Sequence, residues 1–183
     1  FDGVNGQELW KSDGSTAGTV LVKDIFPGTD PSFGPNSSFP IAFTNVNGTL
    51  FFMAMNDSDS SGLWKSDGST AGTVLVKSFM NSFSFMTPEI VNVNGTLFFR
   101  AFDGVNGQEL WKSDGSTAGT VLVKDIIHGT NLTFRHNFSF PITFSNVNGT
   151  LFFIAINDNH SYGLCDSLAP NERTMFSKYL ITL

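Results

Sequence analysis

A single cysteine, Cys165, excludes a disulfide within the chain, so no covalent staple holds the fold. One cysteine does not mark a cytosolic protein either, since large extracellular repeat proteins manage without disulfides. Charge is scarce: 14% of residues are charged, with 10 Lys and Arg against 16 Asp and Glu, for a net charge of −6. No basic cluster occurs, which argues against nucleic acid and anionic membrane surfaces as partners. The longest apolar runs have strand length, far below the roughly 20 residues of a membrane-spanning helix. No window shows helical periodicity. Histidine is limited to His128, His136 and His160, none with a repeated partner. No Ser-His-Asp arrangement, metal-spaced His/Cys set or phosphate-binding loop is present. The expectation is a protein without catalytic residues, without a metal and without a cofactor.

Phenylalanine, by contrast, is abundant, at 20 residues, and the chain repeats itself. Residues 1–25, FDGVNGQELWKSDGSTAGTVLVKDI, recur letter for letter at 102–126, and a shorter copy, GLWKSDGSTAGTVLVK, occupies 62–77. Trp10, Trp64 and Trp111 mark the period, 54 and then 47 residues apart, so the double repeat is 101 residues long. Each Trp stands 13 residues before a lysine (Lys23, Lys77, Lys124). From that lysine to the leucine of the next TLFF motif the distance is 27, 20 and 27 residues. Length is fixed where strands must pair in register and free where a surface loop can bulge. A repeat of this kind buries its apolar face only against its neighbours.

Every unit reads as four short strands. The first is of the type Ile41–Val46, followed by Asn-Gly, the strongest two-residue hairpin signal. The second is Thr49–Met55, Thr96–Phe102 and Thr150–Ile156; the third resembles Gln108–Asp114 and the fourth Thr120–Ile126. The second strand is apolar on both faces, which requires packing on both sides. Phe52, Phe99 and Phe153, with Trp10, Trp64 and Trp111, are the expected repeat core. The expected fold is all-β: tandem four-stranded antiparallel sheets arranged like the blades of a β-propeller, either as an open array or as part of a ring. There are about three and a half units: a half repeat at 1–26, repeats at 39–79 and 88–127, and a degenerate repeat at 140–183.

The run ELWKSDGSTAGTVLVKDI, at Glu8–Ile25 and Glu109–Ile126, resembles the bacterial ELWxxDGT repeat, a propeller-like module of large secreted proteins. The likeness covers essentially the whole chain and implies a propeller-like fold and an extracellular or cell-surface setting. It brings no catalytic residues. One departure stands out: the last unit carries Cys165-Asp166-Ser167-Leu168-Ala169 in place of Trp-Lys-Ser-Asp-Gly, where Cys165 is expected to be a small core residue, the alternative being a thiol able to cross-link chains. Thr174–Leu183 is still expected to form a strand, as in a capping repeat. At the other end the chain opens on Phe1 with the third and fourth strands of a unit. The edge at Glu8–Ser12 is therefore expected to be unpaired and to accept a strand of another molecule.

Three residue groups invite a functional reading. Asp2, Asn5 and Glu8, repeated as Asp103, Asn106 and Glu109, place oxygen ligands in a glycine-rich loop. Their spacing is not that of a calcium loop, and the middle unit has Gly62 in place of Glu, so a structural role is expected. Asp13, Asp67 and Asp114 in SDGSTAGT are expected to fix a turn by accepting backbone N–H bonds. Asn-X-Ser/Thr sequons stand at Asn36, Asn47, Asn56, Asn94, Asn131, Asn137, Asn148 and Asn159. These are exposed glycan acceptors if the chain passes through a eukaryotic secretory pathway; Asn36, Asn131 and Asn137 lie in the variable linkers. Near-identical units, little charge and a two-faced Phe core predict a structural protein that associates with itself into a filament or fibril. The alternative is a lectin-like propeller whose loops present Trp and Asp or Asn to a glycan.

Overall fold

A computed structural model of the chain describes residues 4–57, 60–80, 89–127 and 139–156, together with the backbone of 162–164 and 181–182. All of its regular elements are strands, in two compact units, Phe1–Met86 and Thr87–Leu183.

In the first unit, β1 (Leu9–Lys11) and β2 (Val20–Lys23) form a two-stranded antiparallel sheet. The linker after them folds a small hairpin of its own, β3 (Thr29–Asp30) with β4 (Gly34–Pro35). Then β5 (Ile41–Val46), β6 (Thr49–Met55), β7 (Ser60–Ser66) and β8 (Val74–Met80) form a four-stranded meander in chain order. In the second unit, β9 (Ile90–Val93), β10 (Thr96–Phe102), β11 (Gln108–Ser113) and β12 (Val121–Lys124) repeat that meander. A last sheet holds β13 (Ile142–Val147), β14 (Thr150–Ile156), β15 (Tyr162–Leu164) and β16 (Ile181–Thr182). Every pairing is antiparallel and every sheet is open.

The predicted second strands match β6, β10 and β14 residue for residue. The Asn-Gly turns are where the hairpin signal puts them. Asn47 and Gly48 have φ of 51° and 84°, and the same pair of positive angles recurs at Asn94-Gly95 and Asn148-Gly149. Two consecutive positive φ values make a turn whose twist matches that of the strands it joins. The residue two positions before each turn asparagine helps to hold it: Asn45, Asn92 and Asn146 accept the N–H of Gly48, Gly95 and Gly149 through Oδ1.

Two expectations need correction. Both faces of β6 and β10 are buried, but β14 alternates: Leu151, Phe153 and Ala155 are buried while Phe152 and Ile154 are only half-buried. The C-terminal segment also departs from the repeat. Ile181–Thr182 pairs with Leu151 and Thr150 of β14, the flank that strand three takes in the other units, where Ser66 faces Leu50 and Ser113 faces Leu97. Residues 174–180 lie outside the described ones.

The SDGSTAGT turn folds identically in all three copies. Asp114 Oδ1 accepts from the Ser116 N–H and hydroxyl, Ser116 Oγ accepts from Gly119 N–H, and the Ser113 and Thr120 hydroxyls pair at 2.7 Å. A Cβ on Gly119 would lie 2.1 Å from Asp114 Oδ1. Gly119→Ala is therefore expected to push the aspartate out of the turn and cost about 1–3 kcal/mol, as overpacking does. A thermal midpoint unchanged to within a degree, followed by circular dichroism, would show that the turn has room to spare.

Candidate functional site

The feature that recurs with the repeat is a sheet-on-sheet interface. In the first unit, Leu9, Val22 and Ile25 of the two-stranded sheet and its following turn pack with Phe52, Ala54 and Trp64 of the next sheet, flanked by Leu50. In the second, Val93, Phe98, Leu110, Ile126 and Ile127 pack with Leu151, Phe153 and Ala155. Leu9 corresponds to Leu110, Ile25 to Ile126, Phe52 to Phe153 and Ala54 to Ala155, each 101 residues on. Phe43 and Phe144, on the preceding strand, stand against Phe52 and Phe153 with ring centroids 5.9 and 6.1 Å apart. Phe side chains dominate because one large flat ring fills the space between sheets spaced about 10 Å apart.

Polar contacts clasp the same interface at one end. Lys11 Nζ donates to the Gly68 carbonyl at 2.8 Å and Lys23 Nζ to the Thr73 carbonyl at 3.0 Å. Thr70 Oγ1 donates back to the Val22 carbonyl at 2.7 Å. The lysines of one sheet thus reach the turn of the next.

At the other end sits an arrangement that sequence reasoning missed. Glu8 is buried, and its carboxyl accepts from Ile25 N–H (2.8 Å), Ser38 N–H (2.8 Å) and the Ser38 hydroxyl (2.6 Å). Glu109 repeats it with Ile126 N–H (3.1 Å), Ser139 N–H (3.2 Å) and the Ser139 hydroxyl (2.5 Å). The carbonyls of Ser38 and Ser139 then accept from Met55 N–H and Ile156 N–H at the ends of β6 and β14, 2.7 Å in both cases. Each serine therefore ties strands three and four of one sheet to strand two of the next. The signal was present: Glu occurs before the two 27-residue linkers, both containing Ser-Phe-Pro, while Gly62 precedes the 20-residue one. Burial pushes the Glu109 carboxyl up to about 7, against the pull of the Ser139 hydroxyl and the two N–H groups, and Asp125 adds to the rise. Glu8 is raised for the same reasons, with Asp24 as its anionic neighbour.

These contacts account for the loop residues. Asp103 and Asn106 bond to each other, Oδ1 accepting from Val105 and Asn106 N–H and Oδ2 from Asn106 Nδ2, whereas Glu109 turns to Ile126 and Ser139. Burial pushes Asp103 up, but these N–H donors outweigh it and leave its carboxyl below the ordinary value. Asp2 lies outside the described residues. Asp13 and Asp67 are lowered by the Ser15 and Ser69 hydroxyls and N–H groups of their own turns. Among the described residues no three His, Cys, Asp or Glu side chains gather as for a metal ion.

Trp64 and Trp111 are buried, each opposite a strand-two Phe, Phe52 and Phe99. The Trp64 indole N–H is buried without an acceptor. Trp10 is 39% exposed, and among the described residues no strand-two partner lies beside it. The sequons divide. Asn47, Asn94 and Asn148 are exposed on the turns. Asn36 is half-buried and donates Nδ2 to the Pro27 carbonyl, while Ser38 of its sequon is bound to Glu8. Asn56 is half-buried; Asn131, Asn137 and Asn159, like Cys165 and the three histidines, lie outside the described residues. Comparison with protein-family models, curated proteins and solved structures finds no match for the chain.

Proposed function

We propose that the protein is a structural repeat protein that builds by stacking sheets, extending from chain to chain into a filament, with the sheets disposed as propeller-like blades. The observation that carries this is the interface made twice by the same residues. One face supplies Leu9/Leu110 and Ile25/Ile126, and the other supplies Phe52/Phe153 and Ala54/Ala155. The two faces differ, so the contact is head-to-tail, and such a contact propagates unless its rotation closes a ring. Trp10 stands at the position of Trp64, which belongs to the interface between two sheets. The resemblance to ELWxxDGT repeats and the three exposed Asn-Gly-Thr sequons support an extracellular, glycosylated product. The recurring carboxylates bond to their own turns and linkers, which favours a building role over catalysis. The lectin reading asks the tryptophans to stand open to a sugar, and Trp64 and Trp111 are packed away.

At micromolar concentration the intact chain should sediment as species larger than a dimer and appear as fibrils by negative stain. Trp10→Lys, which puts a charge at the position that Trp64 fills in a sheet-on-sheet interface, should weaken assembly at least tenfold. A monomeric intact chain ends the proposal, and discrete rings replace the filament with a closed propeller.

A further inference from the structure

The two carboxyl–serine clasps join consecutive sheets at a point where the side chain is sealed from water, and the geometry suits an acid as well as a carboxylate. With Glu109 ionised, the Ser139 hydroxyl donates to Oε2. With Glu109 protonated, Oε2–H can donate to Ser139 Oγ, and the hydroxyl turns to the Gln108 carbonyl 3.2 Å away. The Ser139 and Ile126 N–H groups keep an acceptor in either form. Ser38 is placed in the same way, 2.6 Å from Glu8 and 3.5 Å from the Gln7 carbonyl. The three donors favour the charge, and burial outweighs them. On the strand-two side Ala101 faces Glu109, the described part of the linker presents Ser139, and the charged group acting on it from the strand-four end is Asp125, of like sign. For Glu8 that group is Asp24.

We propose that Glu8 and Glu109 are proton-operated catches: protonated, each holds its linker serine and so locks one sheet to the next; ionised, each releases the serine and loosens the stack. The catch acts within the chain and stands whether or not chains associate. Alternation is built in, because the middle unit, with Gly62, has no such carboxyl. The sign follows from linkage. Once the catch opens, the carboxyl meets water and titrates near its ordinary 4.5, whereas closed Glu109 titrates near 7. Between those values the closed form holds a proton that the open form gives up, so opening grows as pH rises, about tenfold per pH unit, and levels off above.

The test is native-state amide exchange on the intact chain from pH 4 to 8.5, corrected for the intrinsic base catalysis of exchange. Protection of the Ser139 and Ile126 amides should fall about tenfold per unit between about 4.5 and 7 and then flatten. In Glu109→Gln that slope should vanish for Ser139 and Ile126 and persist for Ser38 and Ile25. Protection independent of pH in the wild-type chain overturns the proposal, and so does a slope at Ser139 that survives in Glu109→Gln. Should that variant fail to fold, a carbon-13 titration of the wild-type Glu109 carboxyl decides. A midpoint near 7 is expected, and one near 4.5 overturns the proposal.

Discussion

Phe52→Ala should lower the unfolding free energy by about 3–5 kcal/mol, the range of buried aromatic truncations. Phe52 is fully buried, faces Trp64 across the sheet, and packs with Leu9, Val22 and Ile25 of the sheet stacked on it. Leu9, Val22 and Trp64 sit on three strands whose registers are fixed by ladder hydrogen bonds, so they can close little of the space left behind. The loss then contains both the transfer of the ring to water and a residual cavity. Phe52→Leu, which keeps most of the volume, should lose about 1.5 kcal/mol or less. Denaturant unfolding at unchanged slope is the measurement. A loss below about 1 kcal/mol for Phe52→Ala would mean that the two sheets do not depend on each other.

Glu109→Ala should cost about as much, for a different reason. It leaves the N–H groups of Ile126 and Ser139 buried without the acceptor they now have, and each such orphan costs about 1–3 kcal/mol. The Ser139 hydroxyl escapes, since it can turn to Gln108. Adding the lost packing of a fully buried side chain gives an expected total of about 3–5 kcal/mol near pH 5. The cost should shrink as pH rises. The wild-type chain loses stability between about 4.5 and 7, where the folded carboxyl holds a proton that the unfolded one releases, and the alanine variant has no such proton to hold. Stability measured at pH 5 and pH 8 should therefore differ more for the wild type than for the variant. An equal or larger difference in the variant would place the pH dependence elsewhere.

What the sequence disclosed and what it concealed divide by the range of the interaction. Strand two was legible to the residue at Thr49–Met55, Thr96–Phe102 and Thr150–Ile156 because its apolar run and its Asn-Gly turn are local and threefold. The bulge before each tryptophan, where Leu63 faces Lys77 but Trp64 faces Leu75, leaves no mark in the alternation of residues. Nor does the irregularity of strand one, where Ile41 faces Met53 and Thr44 faces Phe51 around Ala42 at a φ of 58°. The clasps were hidden by distance: Glu8 and Ser38 are 30 residues apart, and neither residue type announces a partner. Trp10 shared its motif with Trp64 and Trp111 but not their surroundings, and burial belongs to surroundings.

The clasp also constrains how such a chain can be copied. Glu8 and Ser38 fall on opposite sides of the linker, in what the strand pattern divides into two different units. A crossover between gene copies inside 9–37 would hand one unit a glutamate whose serine had been left behind, or join it to the shorter linker that follows Lys77. A crossover within strand two leaves each glutamate with its serine. A block cut from one strand two to the next, such as 99–152, keeps Glu109 and Ser139 together, whereas one cut inside the linker parts them.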